Sequence, residues 1–276
     1  MITETAYAKL NLCLQVGEKL PNGYHNVISL MQTVSLGDTV TVEKAEEISL
    51  CCIGQELSEG EDNLAHKAAR AFFAHSGIKG GAAIRLEKRI PQGAGLGGGS
   101  ADAAAVLRAL NRLYGTGYSK DALCSIAAPL GADVPFCVKG GSMIATGVGD
   151  ILRPAMQNTL DLVLCFGKES LSTPLMYKTL DREGNTYRSA EEFISFWQQG
   201  DVEGAFAHGG NSFYPIAARL DSTVDQNIAV LKKAGAVFCG ISGKGPTVFG
   251  LFKNARDALH AAEAYGGIAL RSVVFE

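Results

Sequence analysis

The sequence predicts an α+β protein of two domains. Three observations carry that expectation: a β-branched, alternating opening of about 53 residues, a glycine-rich stretch that runs straight into a helix, and a second half in which short strands are interleaved with amphipathic helices. A chain of 276 residues with 47% hydrophobic content can bury one large or two ordinary cores. A break near Arg153-Pro154 suggests the division, residues 1–154 and 155–276.

Each element has its own signal. From Ile2 to about Ile53, runs such as Thr39-Val40-Thr41-Val42-Glu43 read as strands, and Leu20-Pro21-Asn22-Gly23 reads as a hairpin turn. A helix is expected over Asp62–His75, where Leu64, Ala68, Ala71 and Phe72 share a face and Asp62 is the candidate cap. Ala82–Leu86 reads as a strand feeding the glycine loop. The helix after that loop is marked by Ala103, Leu107, Leu110 and Tyr114 and ends at Gly115, and a second helical stretch starts at Ser119. Val134–Val138 and Ser142–Ala145 look extended. Beyond Pro154, strands are expected at Leu160–Phe166, Ala236–Ile241, Thr247–Phe252 and Ala269–Phe275, with helices at Ala190–Gln199, at Val224–Lys233 and from Ala255.

Composition narrows the partners. A formal net charge of −3 with no basic cluster argues against nucleic acid or an anionic membrane as the main partner, while a phosphorylated small molecule needs only a local positive site. The seven cysteines are odd in number and scattered, with no C-x-x-C pair, which fits reduced thiols in a cytoplasmic protein. No basic segment leads into an apolar run at the N-terminus, and no stretch approaches 18 apolar residues, so a chain that is neither exported nor membrane-bound is expected. Oligomeric state leaves no signal.

The run Pro91-Gln92-Gly93-Ala94-Gly95-Leu96-Gly97-Gly98-Gly99-Ser100-Ala101-Asp102 holds five glycines in seven residues and opens a helix. Glycines let the backbone approach a ligand, and a helix start presents N–H groups and the positive end of a dipole, so this is a candidate phosphate cradle. Gly93, Gly95 and Gly98 satisfy G-x-G-x-x-G, but about 80 residues precede the loop and a helix follows where a dinucleotide unit needs a strand. No lysine follows the glycines as a P-loop requires. A flexible turn is the ordinary alternative, and Ser100 has an ordinary alternative as a helix cap.

Two further segments carry possible chemistry. Lys9 and Asn11 in Ala8-Lys9-Leu10-Asn11-Leu12 fall on one side of an expected strand, which taken alone reads as a solvent-facing edge. Asp133 in Gly131-Ala132-Asp133-Val134-Pro135-Phe136 sits among small and apolar residues at an expected strand entrance. One carboxylate, one lysine and a phosphate cradle are the parts that phosphoryl transfer asks of a protein.

These segments, with Pro21-Asn22-Gly23-Tyr24-His25 and Ser242-Gly243-Lys244-Gly245-Pro246, occur in the order of the GHMP kinases, and the chain resembles that superfamily over almost its whole length. The resemblance implies an N-terminal domain with the fold of a ribosomal small-subunit protein, a ferredoxin-like C-terminal domain and an active site in the cleft between them. It implies ATP and Mg2+ as cofactors. The Pro21–His25 run further points to the branch whose acceptor is a cytidine diphosphate-linked methylerythritol. By position in the family motifs, Asp133 is the general base and Lys9 its partner. Asn63, Lys88, Pro91 and the run Gly93, Ala94, Gly95, Leu96, Gly97, Gly98, Gly99, Ser100 and Ala101 would hold the nucleotide. Asn11, Tyr24, His25, Thr173 and Tyr177 would hold the acceptor, with His25 reading the cytosine edge and Tyr177 stacking on the base. Another GHMP kinase acting on a different alcohol, or an ATP-binding sensor without catalysis, are the alternatives. Ala101, Lys244 and Met31 depart from the residues common in the family at those positions.

Overall fold

A computed structural model describes residues 1–273. The chain forms two compact units, each gathered from separated stretches: Met1–Lys9, Leu36–Gln92 and Gly97–Gly140 in the first, and Leu10–Ser35, Gly93–Leu96 and the chain from Gly141 on in the second. The opening strands are β1 (Ile2–Lys19) and β2 (His25–Ala45), which pair with each other. The expected turn joins them. Gly23, at φ +85°, donates its N–H to the Leu20 carbonyl at 2.9 Å.

In the first unit β3 (Ser49–Ile53), α1 (Leu64–Ser76), β4 (Gly81–Glu87), α2 (Gly98–Tyr114), α3 (Lys120–Ala127) and α4 (Val134–Lys139) follow in order. β4 pairs antiparallel with β2, from Thr39↔Glu87 to Ala45↔Gly81, and parallel with β3. Val40 lies opposite Leu86 and Val42 opposite Ile84, all four buried, as the period-two pattern requires. α1 packs on α2, where the Phe73 and Tyr114 rings meet edge to face at 5.4 Å. The cap of α1 is Asn63, not Asp62: the Asn63 side chain accepts from the Ala65 N–H, while Asp62 accepts from Ser58.

Val134–Val138 is helix α4, a correction to the extended reading. All five residues are buried, so no polar face exposes a helical period, and a short apolar run reads alike for a strand and a buried helix. Pro135 at the first turn and Gly140 at the C-cap are the signals that pointed the other way.

In the second unit β5 (Ser142–Thr146) pairs antiparallel with β2 from Ser29↔Ala145 to Gln32↔Ser142, and β6 (Ile151–Pro154) pairs with β5. The expected break at Arg153-Pro154 is thus the end of a strand at the sheet edge, where a residue without an N–H is tolerated. Next come β7 (Asp161–Cys165), α5 (Thr173–Glu183), α6 (Ala190–Gln198), α7 (Val202–Ala207), α8 (Tyr214–Leu220), α9 (Thr223–Lys233), β8 (Phe238–Ile241), β9 (Val248–Phe252), α10 (Ala255–Tyr265) and β10 (Ile268–Arg271). The sheet order β10-β7-β9-β8, with every neighbouring pair antiparallel and α9 and α10 packed on it, is ferredoxin-like. α5, α7 and α8 were not expected from the sequence. The final expected strand, Ala269–Phe275, contributes to β10, and its positions 274 and 275 lie outside the described residues.

Candidate active site

The glycine loop is built on alternation. Gly93, Gly95 and Gly97 take φ of +70°, +77° and +69°, while Ala94 and Leu96 between them are buried. The two side chains anchor the loop inward, and the left-handed positions between them belong to residues without a Cβ. Successive main-chain N–H groups in such an alternation form an anion-binding concavity.

At the end of the loop, Gly97 is the N-cap of α2 and no side chain caps the helix. Ser100 is the third residue inside α2, so it is not the cap. The first helical hydrogen bond runs from Ala101 N–H to the Gly97 carbonyl at 2.8 Å. The N–H groups before it have no partner within the helix, and they stand at the positive end of a 17-residue dipole. Within the second unit, Gly95 lies against the turn at 242–245: Ser242 Oγ donates to the Gly95 carbonyl at 2.9 Å, and a Cβ at Gly95 would come 2.3 Å from the Ser242 carbonyl oxygen. Lys244 Nζ donates to the carbonyls of Leu171 and Gly93.

In the first unit the structure brings Lys9 and Asp133 together. Lys9 Nζ is 3.6 Å from Asp133 Oδ2, with the lysine side chain 6% and the aspartate side chain 39% exposed. The solvent-facing reading of Lys9 and Asn11 is overturned, since both are buried. A buried ammonium is costly without a counter-charge, and Asp133 supplies one while remaining open to a reactant. Asp133 is the N-cap residue of α4 and its side chain makes no capping bond, so its carboxylate is not committed to the helix. The stem of Lys9 runs under the start of α2: a Cβ added at Gly97 would meet Lys9 Cγ at 3.0 Å and Cε at 3.2 Å. Lysine, carboxylate and helix N-terminus are therefore neighbours.

Lys88 and Asn63 are placed differently. Lys88 Nζ lies 2.5 Å from Asp38 Oδ2 and 2.5 Å from Asp102 Oδ2, and all three side chains are almost fully buried. Asp38 Oδ1 also accepts from the N–H groups of Arg89 and Ile90 at 2.5 and 2.8 Å. Burial, reinforced by Asp38 and opposed by Lys88, pushes the Asp102 carboxyl up to about 7. The two carboxylates hold the Lys88 ammonium above its usual value, against the burial that would lower it. This cluster pins both ends of the glycine loop, since Lys88, Arg89 and Ile90 precede it and Asp102 follows it. Asn63 caps α1 and donates to the Ser58 carbonyl at 2.7 Å. Pro91, Gly98 and Gly99 lie on the loop and its entry to α2, and Ala101 is buried in the first turn.

In the second unit His25 is buried, and its Nε2 is 2.5 Å from Asp181 Oδ1. The His25 ring stacks on Tyr177 at 5.0 Å, and Tyr177 meets Phe213 edge to face at 4.9 Å. Lys19 Nζ is 2.6 Å from the second oxygen of Asp181. Lys19 first, and His25 after it, hold the Asp181 carboxyl below the usual range. A cavity of about 420 Å³ opens here, lined by Gln15, Gly17, Lys19, His25, Asp181 and Arg188 among others, a size proper to a small-molecule site. Asn11 donates from Nδ2 to Ser29 Oγ at 2.8 Å. Tyr24 is 65% exposed beside His25, and Thr173 is the exposed first residue of α5. Sequence reasoning missed Asp181 and Lys19. Tyr177 and Asp181 stand i and i+4 on α5, so recognising that helix would have placed them on one face.

Among the described residues no group of three or more His, Cys, Asp or Glu is arranged to hold a metal, no helix is long and apolar enough to cross a membrane, and the cysteines are unpaired.

Comparison with known proteins gives the family. Residues 63–141 match the family model of the GHMP kinases N terminal domain and residues 203–268 that of the GHMP kinases C terminal domain. A 4-diphosphocytidyl-2-C-methyl-D-erythritol kinase of Pelotomaculum thermopropionicum is 39% identical over 269 residues, which are 96% of this chain and 94% of that one. One from Thermoanaerobacter sp. (strain X514) is 35% identical over 95% of this chain and 91% of its own length. The crystal structure of a 4-(cytidine 5'-diphospho)-2C-methyl-D-erythritol kinase superposes with a TM-score of 0.84 at 33% identity, covering 98% of this chain and 99% of that chain. A chain with this loop, this lysine and carboxylate, and these relatives over nearly its full length belongs to the GHMP kinases, in the family of the 4-diphosphocytidyl-2-C-methyl-D-erythritol kinases.

Proposed function

We propose that this kinase transfers the γ-phosphoryl group of ATP to the 2-hydroxyl of 4-diphosphocytidyl-2-C-methyl-D-erythritol, with Asp133 as general base and Lys9 as its partner. The observation that carries the reading is the 3.6 Å approach of Lys9 Nζ to Asp133 beside the uncapped start of α2. A tertiary hydroxyl is a hindered nucleophile, so catalysis rests on placing it in line with the phosphorus and removing its proton as the new bond forms. Asp133 takes that proton. Lys9 holds the carboxylate in place and offsets negative charge gathering at the attacking and equatorial oxygens. The N–H groups from Gly97 to Ser100 hold the phosphates through main-chain donors, which stay fixed during the reaction.

Among the described residues no group of three or more His, Cys, Asp or Glu is arranged to hold a metal, so Mg2+ would be held mainly by the oxygens of the triphosphate, where it would supply positive charge to offset that of the phosphates. Asn11 belongs to the acceptor side, and Tyr24, His25, Thr173 and Tyr177 are assigned to the cytidine, with the stacking of the buried His25 ring on the half-buried Tyr177 ring as the strongest support.

The test is ADP release with the cytidine-linked alcohol beside mevalonate, homoserine and galactose. Turnover with the first alone is expected. Asp133→Asn should lower kcat roughly 100-fold or more with ATP binding kept. Near-normal turnover of Asp133→Asn would remove the base from this reading, and preference for another alcohol would move the acceptor.

A further inference from the structure

The cluster around His25 contains a carboxylate to which neither the family motifs nor the proposed mechanism gives a role. Asp181 Oδ1 lies 2.5 Å from His25 Nε2. A carboxylate oxygen only accepts, so the proton of this hydrogen bond sits on Nε2. His25 is buried, and Lys19 Nζ lies 2.6 Å from the second carboxylate oxygen, Oδ2, so each oxygen of Asp181 has its own partner. Stacking on Tyr177 fixes the plane of the imidazole, and Asp181, one turn along α5 from Tyr177, fixes its rotation within that plane.

We infer that Asp181 is the positioning residue that sets base selectivity: by accepting from Nε2–H it leaves His25 Nδ1 as an acceptor, the form that takes a hydrogen bond from the exocyclic amino group of cytosine and turns away the carbonyl of uracil. The complementarity is plain chemistry. Cytosine offers N4–H donors where uracil offers an acceptor, and two acceptors face to face leave both unsatisfied. This inference rests on the reading of His25 as the residue that meets the base.

The experiment compares kcat/KM for the cytidine-linked substrate and its uridine analogue in wild type, His25→Ala, Asp181→Leu and Asp181→Asn, together with 15N NMR of protein labelled at its histidines. The His25→Ala spectrum assigns the resonances. In the wild type, the His25 nitrogens should show a protonated Nε2 and an unprotonated Nδ1. Asp181→Leu should lower the cytidine-to-uridine ratio roughly 10- to 100-fold, the range seen when the partner that orients a metal-ligating histidine is removed, and should mix the tautomers. KM for ATP should stay put. Asp181→Asn, whose amide oxygen still accepts from Nε2–H, should keep most of the selectivity, which a merely structural role does not predict.

A wild-type spectrum with the proton on Nδ1 overturns the inference, and that measurement needs no variant to fold. Lost selectivity in His25→Ala with full selectivity in Asp181→Leu overturns it while leaving the base-reading role of His25 intact. Full selectivity in His25→Ala overturns both.

Discussion

Replacing Lys88 with methionine keeps the apolar stem of the side chain and removes only its ammonium, which makes it a direct probe of the buried Asp38–Lys88–Asp102 cluster. The carboxylates left behind are 0% and 3% exposed, and Asp102 Oδ1 has no hydrogen-bond partner even with the lysine present. Taking one member from a buried ion pair leaves uncompensated charge and costs about 3 to 5 kcal/mol. That is a large share of a total stability of about 5 to 15 kcal/mol. At about 2 to 4 °C per kcal/mol for a chain of this size, the melting temperature should fall by roughly 6 to 20 °C. Lys88→Met/Asp102→Asn should recover part of the loss, because only Asp38 then remains charged, and two backbone N–H groups still serve it. The assay is a thermal melt of the three proteins above about pH 8, where Asp102, raised to about 7, is ionised in the wild type, with calorimetric titration of ATP on each below its transition. A Lys88→Met protein that melts within about 1 °C of wild type yet loses ATP affinity would refute the reasoning and give the ammonium to the nucleotide.

The same cluster predicts a pH effect. Asp102, raised to about 7 chiefly by burial, holds a proton in the folded chain that the unfolded chain releases near its ordinary value of 3.8. Its contribution is therefore fully present below the unfolded value and is lost as pH rises through about 7. The stability advantage of wild type over Asp102→Asn, followed by urea midpoints, should shrink across that window, and an advantage that grows contradicts the sign. Gly97→Val forces a β-branched residue to φ +69° and presses on the stem of Lys9, so both ATP affinity and kcat should fall, the latter about 5- to 150-fold for about 1 to 3 kcal/mol of strain. Unchanged values in a folded Gly97→Val protein would make the loop structural only. Tyr177→Ala should lower kcat/KM for the cytidine substrate about 5- to 150-fold with KM for ATP unchanged, since a stacked base is worth about 1 to 3 kcal/mol. An equal rise in both KM values would deny Tyr177 a place at the base.

Local signals carried much of the fold. The glycine loop, the helices either side of it and the alternating strands were legible because loop glycines, caps and periodicity act within a few residues. Val134–Val138 was not, because burial on all sides erases the polar face that separates a helix from a strand. α5 escaped for a related reason: few of its residues are buried, so its apolar stripe is thin, and with it went Asp181. The Lys9–Asp133 approach spans 124 positions of sequence and has no local signature. Only the order of motifs linked those two residues before the fold did. The same holds for Asp38, an unremarked residue on β2 until the fold sets it beside Lys88. The cap of α2 is Gly97 and not Ser100, the ordinary alternative for that serine, because the loop enters the helix in a left-handed conformation.

The donors gathered at the start of α2 are main-chain amides, and this has a consequence for how the loop can be interrogated. Alanine scanning deletes side chains, and from Gly93 to Ala101 only Leu96 and Ser100 have one larger than a methyl group. A scan would pass over the loop nearly in silence, or report only the strain of placing a Cβ at φ near +70°. The chemistry there is removed one N–H at a time by exchanging a peptide bond for an ester, which keeps the shape of the backbone and deletes a single donor. An ester that makes residue 98 or 99 the oxygen-bearing position would measure directly what each amide contributes to ATP affinity, and so whether it has the phosphate-holding role proposed for it.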